Sequence, residues 1–97
     1  MWLDRESISQ WAYWYCRNIE DDPKVRKYIT ESRWAYFYCR DVKNRPEIRK
    51  NITDSEWAYY YCKRIKDDLE VRKRITDIIW VHEYHVHTRI RDYIVVE

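Results

Sequence analysis

The chain has 97 residues, with 19 basic and 17 acidic side chains, three histidines, three cysteines, two prolines and no glycine. That length builds one domain, and a net charge of +2 lacks the bulk basic signature of a nucleic-acid binder. An apolar fraction of 45% with six Trp and ten Tyr excludes a disordered chain, and no apolar run approaches the roughly 20 residues of a membrane span.

Residues 1–6, Met-Trp-Leu-Asp-Arg-Glu, carry no signal-peptide pattern. They resemble the tail of a missing unit, with Trp2 in the place later taken by Val25. A period of 23 residues then governs the chain. Trp11, Trp34, Trp57 and Trp80 follow it, as do Cys16, Cys39 and Cys62, and Tyr15, Tyr38, Tyr61 and Tyr84. Residues 7–29 and 30–52 agree at 11 of 23 positions, and residues 30–52 and 53–75 at 12 of 23. Residues 76–97 keep only Thr76, Asp77, Trp80 and Tyr84, the pattern of a divergent terminal cap.

Each unit predicts two helices. The first is expected to start after Ser7, Thr30, Thr53 or Thr76 as N-cap, with Ser7-x-x-Gln10 and Thr53-x-x-Glu56 as capping boxes. Its apolar stripe in the first unit is Ile8, Trp11, Ala12, Tyr15, Cys16 and Ile19, one helical face. The second helix is short. Asp22-Pro23 opens it, Pro46 repeats the motif and Leu69 replaces it. Val25 and Ile29, Ile48 and Ile52, and Val71 and Ile75 are i,i+4 pairs that fold it back on the first helix. A lone 23-residue hairpin cannot bury its apolar face, whereas stacked copies can. The expected fold is therefore all-α, a short α-solenoid of about four repeats. It forms a single domain over residues 1–97, with a half-unit at 1–6, full repeats at 7–29, 30–52 and 53–75, and the cap at 76–97. Without glycine, its corners must close at negative φ.

The unit Trp57-Ala-Tyr-Tyr-Tyr-Cys-Lys-Arg-Ile-Lys-Asp-Asp-Leu-Glu-Val-Arg-Lys-Arg-Ile resembles short tandem helical repeats of uncharacterised phage and bacterial proteins. Those follow Ala-x-x-Tyr-Ala-x-x-Val/Ile, then an acidic residue and a final Ile. The matching positions are Ala58, Tyr61, Cys62 and Ile65, then Glu70 and Ile75, and the resemblance covers about residues 7–84. Cysteine stands where those repeats carry alanine, and the connection is shorter. The resemblance implies a helical array of phage or viral origin and no activity.

Three cysteines cannot all pair, and their spacing reads as small buried residues in a reducing compartment. The cytoplasm is the expected location, that of the host cell if the protein is viral. Glu20-Asp21-Asp22 reads as a solvated loop. His82, His85 and His87 are the candidate metal ligands, but they read more simply as capping or interface histidines. No metal, cofactor or catalytic residue is expected.

A second ladder lies off the core stripe: Tyr13 with Trp14, Tyr36 with Phe37, and Tyr59 with Tyr60. Arg17, Arg40 and Lys63 stand four residues after Tyr13, Tyr36 and Tyr59, within reach for cation–π contact. Inter-helix packing is the plain use of such rings. The functional expectation is a non-enzymatic binding module whose partner is another protein, with no membrane contact. Single-stranded nucleic acid, stacked on the rings, is the alternative. The third reading is a self-assembling array, with dimer or end-to-end contacts through Trp2 and Ile94-Val95-Val96.

Overall fold

A computed structural model describes the backbone of residues 4–96 and the side chains of residues 4–88. Trp2 and the side chains of Ile94, Val95 and Val96 lie outside the described residues. The described chain is all helical: α1 (Arg5–Asn18), α2 (Pro23–Arg26), α3 (Ser32–Asp41), α4 (Pro46–Arg49), α5 (Ser55–Arg64), α6 (Leu69–Arg72) and α7 (Ile78–Val96). Long and single-turn helices alternate up to α7, at the 23-residue period. Among the described residues no helix is long and apolar enough to cross a membrane.

The chain divides into two compact units, Met1–Thr53 and Asp54–Glu97. In the first, α3 packs on α1, while α2 folds back on α1 and α4 on α3. Its core holds Ala12, Tyr13, Cys16, Ile29, Ala35, Tyr36, Tyr38, Cys39, Ile48 and Ile52. In the second, α7 packs on α5 and α6 folds back on α5, around Ala58, Tyr59, Tyr61, Cys62, Val71 and Ile75. The fully buried alanines and the large phenol rings pack together in these cores.

The corners close without glycine. Tyr15 O accepts from both Ile19 N (2.8 Å) and Glu20 N (3.1 Å), and the C-cap Ile19 keeps φ at −115°. Tyr38 with Val42 and Lys43, and Tyr61 with Ile65 and Lys66, repeat this forked end. A tight turn follows each, from Asp22 N to Glu20 O, Arg45 N to Lys43 O and Asp68 N to Lys66 O, all at 2.9–3.0 Å. Among the described residues none has a positive φ. The next helix starts on Asp22, which accepts from Lys24 N (2.9 Å), or on Asp68, which accepts from Glu70 N (2.9 Å) and Val71 N (3.1 Å). Arg45 makes no such cap, and Pro46 at the first helical position compensates in part.

The long helices start differently from expectation. The N-caps are Asp4, Glu31 and Asp54, not Ser7, Thr30 and Thr53. Asp4 Oδ1 takes Ser7 N at 2.7 Å, so α1 begins before Ser7. The threonines belong instead to a clamp centred on Ser9, Ser32 and Ser55. Ser9 Oγ accepts from Thr30 N (3.0 Å) and Glu31 N (3.1 Å) and reaches Tyr28 O at 3.1 Å. Ser32 accepts from Thr53 N, and Ser55 from Thr76 N and Asp77 N, each at 2.9 Å. A hydroxyl near the start of each of these long helices thus holds the link that follows its short helix, and satisfies backbone N–H groups there.

The expected stripe on α1 is also redistributed. Ala12 and Cys16 are buried, but Trp11 is 51% exposed and Ile19 59% exposed. The corresponding Trp34 and Val42 are partly covered. Residues 78–96 form one uninterrupted helix; Ile90-Arg91 stand where the Asp21-Asp22 and Asp67-Asp68 pairs precede α2 and α6.

Candidate functional site

The ladder residues split by depth. Tyr13, Tyr36 and Tyr59 are core residues, 8%, 0% and 4% exposed, so they cannot present their rings to a partner. The reason is rotational: each follows a buried alanine by one residue, and for Tyr13 and Tyr59 that flank is where α3 and α7 pack within their own units. Tyr13 stacks on Trp34 with centroids 5.4 Å apart, and Tyr59 on Trp80 at 5.3 Å, both tilted by 37°. The Trp14, Phe37 and Tyr60 positions lie further out. Trp14 is 52% exposed, while Phe37 and Tyr60 are half-buried.

Two of the three cations expected over these rings, Arg40 and Lys63, lie there. Arg40 Cζ lies 4.8 Å from the Phe37 ring and 5.7 Å from Tyr36, and Lys63 Nζ lies 5.7 Å from Tyr59. Arg17 differs, donating to the Tyr13 hydroxyl at 3.4 Å instead. Arg64, not singled out by the sequence, covers Tyr60 at 4.9 Å. Its counterparts, Asn18 and Asp41, are not basic, so periodicity could not mark it.

Asp41 organises the rim of the first unit. It accepts from the Tyr13 hydroxyl and takes Arg40 in a fork, Nε to Oδ1 at 2.7 Å and Nη2 to Oδ2 at 2.9 Å. The Arg40 bonds outweigh burial and hold the Asp41 carboxyl below the ordinary aspartate range. The same fork holds Arg40 firmly protonated. Burial first, and then Asp41, push the Tyr13 phenol up. The arginine over Phe37 is therefore held in place and charged.

The acidic loop is not solvated as expected. Asp21 accepts from the Tyr38 hydroxyl (2.7 Å), Arg26 Nη1 (3.1 Å) and Arg45 Nη2 (3.1 Å). Arg45 Nε also donates to the Tyr38 oxygen at 2.8 Å. Burial raises the Asp21 carboxyl, but bonds from Tyr38, Arg45 and Arg26 more than reverse it. In the second unit the Tyr84 hydroxyl meets Asp67 at 3.1 Å and accepts from Arg72 at 3.1 Å. The 23-residue spacing of Asp21, Asn44 and Asp67 was the signal for this node. Its groups are all paired within their own unit, which anchors the acidic loop to the long helix that follows.

Beside the node, an open cavity of ≈ 270 Å³ lies between α2 and α4, with Arg26, Lys27 and Lys50 on its walls and Glu47 among them. The three cysteines are free and buried. Burial pushes Cys16 up to about 11, and Cys39 and Cys62 up to about 12, so none is a ready thiolate. On α7, His82 and His85 are exposed and His87 is half-buried. His85 packs edge-on against Tyr84, with centroids 5.9 Å apart. No group of three His, Cys, Asp or Glu placed to hold a metal occurs among the described residues.

No protein family model matches this chain, and no curated protein or solved structure is detectably similar to it.

Proposed function

We propose that this chain is a non-enzymatic binding module built as a short helical solenoid, and that its partner is another protein. The observation that carries the reading is the pairing of a half-buried outer ring with a cation laid on it, Arg40 on Phe37 and Arg64 on Tyr60. Exposed Trp14 and Arg17 stand at the corresponding ladder positions of α1. Aromatic anchors flanked by arginine are what protein interfaces concentrate. Asp41 fixes Arg40 in advance, so less side-chain freedom is lost on binding. Asp41, paired with Arg40, interrupts the basic rim, which favours a protein surface over a phosphate backbone.

The test compares proteins retained from source cells by the natural chain and by a variant carrying Arg17→Glu, Lys63→Glu and Arg64→Glu. Arg40 is left intact to preserve the Asp41 fork. The expected result is loss of a specific partner with unchanged helix content and unfolding midpoint. Equal retention by both chains refutes the assignment. A salt-sensitive gel shift with an oligothymidine, abolished by the same variant, transfers the surface to single-stranded nucleic acid.

A further inference from the structure

Two interfaces within this chain follow one rule. In Met1–Thr53, Tyr13 stacks on Trp34 and Asp21 accepts from the Tyr38 hydroxyl. In Asp54–Glu97, Tyr59 stacks on Trp80 and Asp67 accepts from the Tyr84 hydroxyl. In both, the donor face is a tyrosine with an aspartate eight residues later. The acceptor face is a tryptophan with a tyrosine four residues later.

α1 carries the same acceptor face, Trp11 with Tyr15, on its outer side. Trp11 is 51% exposed, Ile19 beyond it is 59% exposed, and the Tyr15 hydroxyl has no acceptor like that of Tyr38 among the described residues. We propose that this outer face of α1 docks a helical hairpin of the same construction from a different chain. That hairpin bears a tyrosine to stack on Trp11 and, eight residues later, a carboxylate to accept from Tyr15. The inference concerns a face of α1 separate from the cation-capped rings, and it continues an interface already formed inside each unit.

The occupant is not a second copy of this chain. Tyr13 with Asp21 and Tyr59 with Asp67 are already engaged. One period further on, the sequence offers Ile78, His82 and Ile90 where Ser55, Tyr59 and Asp67 stand. Isoleucine at 78 cannot provide the serine clamp, and isoleucine at 90 cannot accept from Tyr15. A head-to-tail copy therefore lacks the polar half of the interface.

The experiment supplies the missing hairpin from known sequence. A copy of residues 53–75 replaces residues 1–6, joined to Ser7 through a protease-cleavable loop. Before cleavage, the unfolding midpoint should exceed that of a control whose added hairpin lacks its tyrosine and aspartate. After cleavage, native mass spectrometry should find the hairpin still bound, with Tyr15→Phe weakening it at least tenfold. Equal midpoints with release of the hairpin overturn the proposal, as does binding indifferent to Tyr15→Phe. Sedimentation of the natural 97-residue chain should show no concentration-dependent dimer. A dimer abolished by Trp11→Lys would assign this face to a second copy and overturn the choice of occupant. None of these readouts depends on the Arg17, Lys63 and Arg64 surface.

Discussion

The Tyr38 hydroxyl is held between a carboxylate and a guanidinium inside the first unit. It donates to Asp21 at 2.7 Å and accepts from Arg45 at 2.8 Å, while its ring is fully buried. Burial, and then Asp21, raise the phenol well above its ordinary value. Tyr38→Phe keeps the ring and removes only the hydroxyl. Asp21 retains Arg26 and Arg45, so no carboxylate is left bare. The expected cost is therefore that of one hydrogen bond to a charged group, about 1.5–3 kcal/mol. Urea unfolding measures it. A change under about 0.5 kcal/mol, the size of an ordinary surface substitution, would show that water replaces the hydroxyl there. The node was partly legible: the 23-residue spacing of Asp21, Asn44 and Asp67 is plain in the sequence. A run such as Glu20-Asp21-Asp22 nevertheless reads as solvated, because only the three-dimensional fold brings Tyr38 and Arg45 onto one member of it.

The helices themselves were legible because two independent signals agree, the apolar period within each unit and the 23-residue period between them. Pro23 and Pro46 mark the starts of α2 and α4 as expected. The starts of α1, α3 and α5 were misplaced because Ser and Thr are good caps by type, yet here they serve a tertiary clamp. Ser32 is 5% exposed and accepts from Thr53 N at 2.9 Å, with Asn51 O at 3.3 Å and Thr53 Oγ1 at 3.2 Å. Ser32→Ala removes the acceptor for a backbone N–H and should destabilise the first unit by about 1–3 kcal/mol. Ser55 makes the same bonds in the second unit but is more open to water, which can replace its hydroxyl. Ser55→Ala should therefore cost less than Ser32→Ala. Denaturant titrations of the two variants decide the point, and equal losses would mean that burial does not set the strength of the clamp.

Across the whole molecule, the sequence could show which residues recur but not which recurrences end uncovered. Trp11 and Trp34 are the same residue in the same local pattern, yet one is half exposed and the other packed by Tyr13. The ladder likewise gave ring identities, whereas depth, which divides Tyr13 from Trp14, depends on how the next long helix lies against the first. The cysteines show the converse, because their burial follows from the period and has a consequence for the entire chain. Cys16, Cys39 and Cys62 are each 5% exposed, and burial lifts their thiols to about 11, 12 and 12. An unfolded thiol ionises near pH ~8.5. Below that pH both states keep their protons and the thiols add no pH dependence. Above it the unfolded chain releases protons that the folded chain retains, so stability falls as pH rises towards the folded values. Each thiol contributes about 1.4 kcal/mol per pH unit in that window, and three acting together about 4 kcal/mol. Above pH ~10 the raised phenols of Tyr13, Tyr38 and Tyr84 act in the same direction. The prediction is a steep loss of unfolding free energy between about pH 9 and 10, read by urea titration under reductant. Replacing all three cysteines with alanine should lower stability at pH 7 by leaving space at three close-packed sites, and should flatten that slope. A natural chain whose stability stays level to pH ~10 would mean that the thiols already meet water in the folded state.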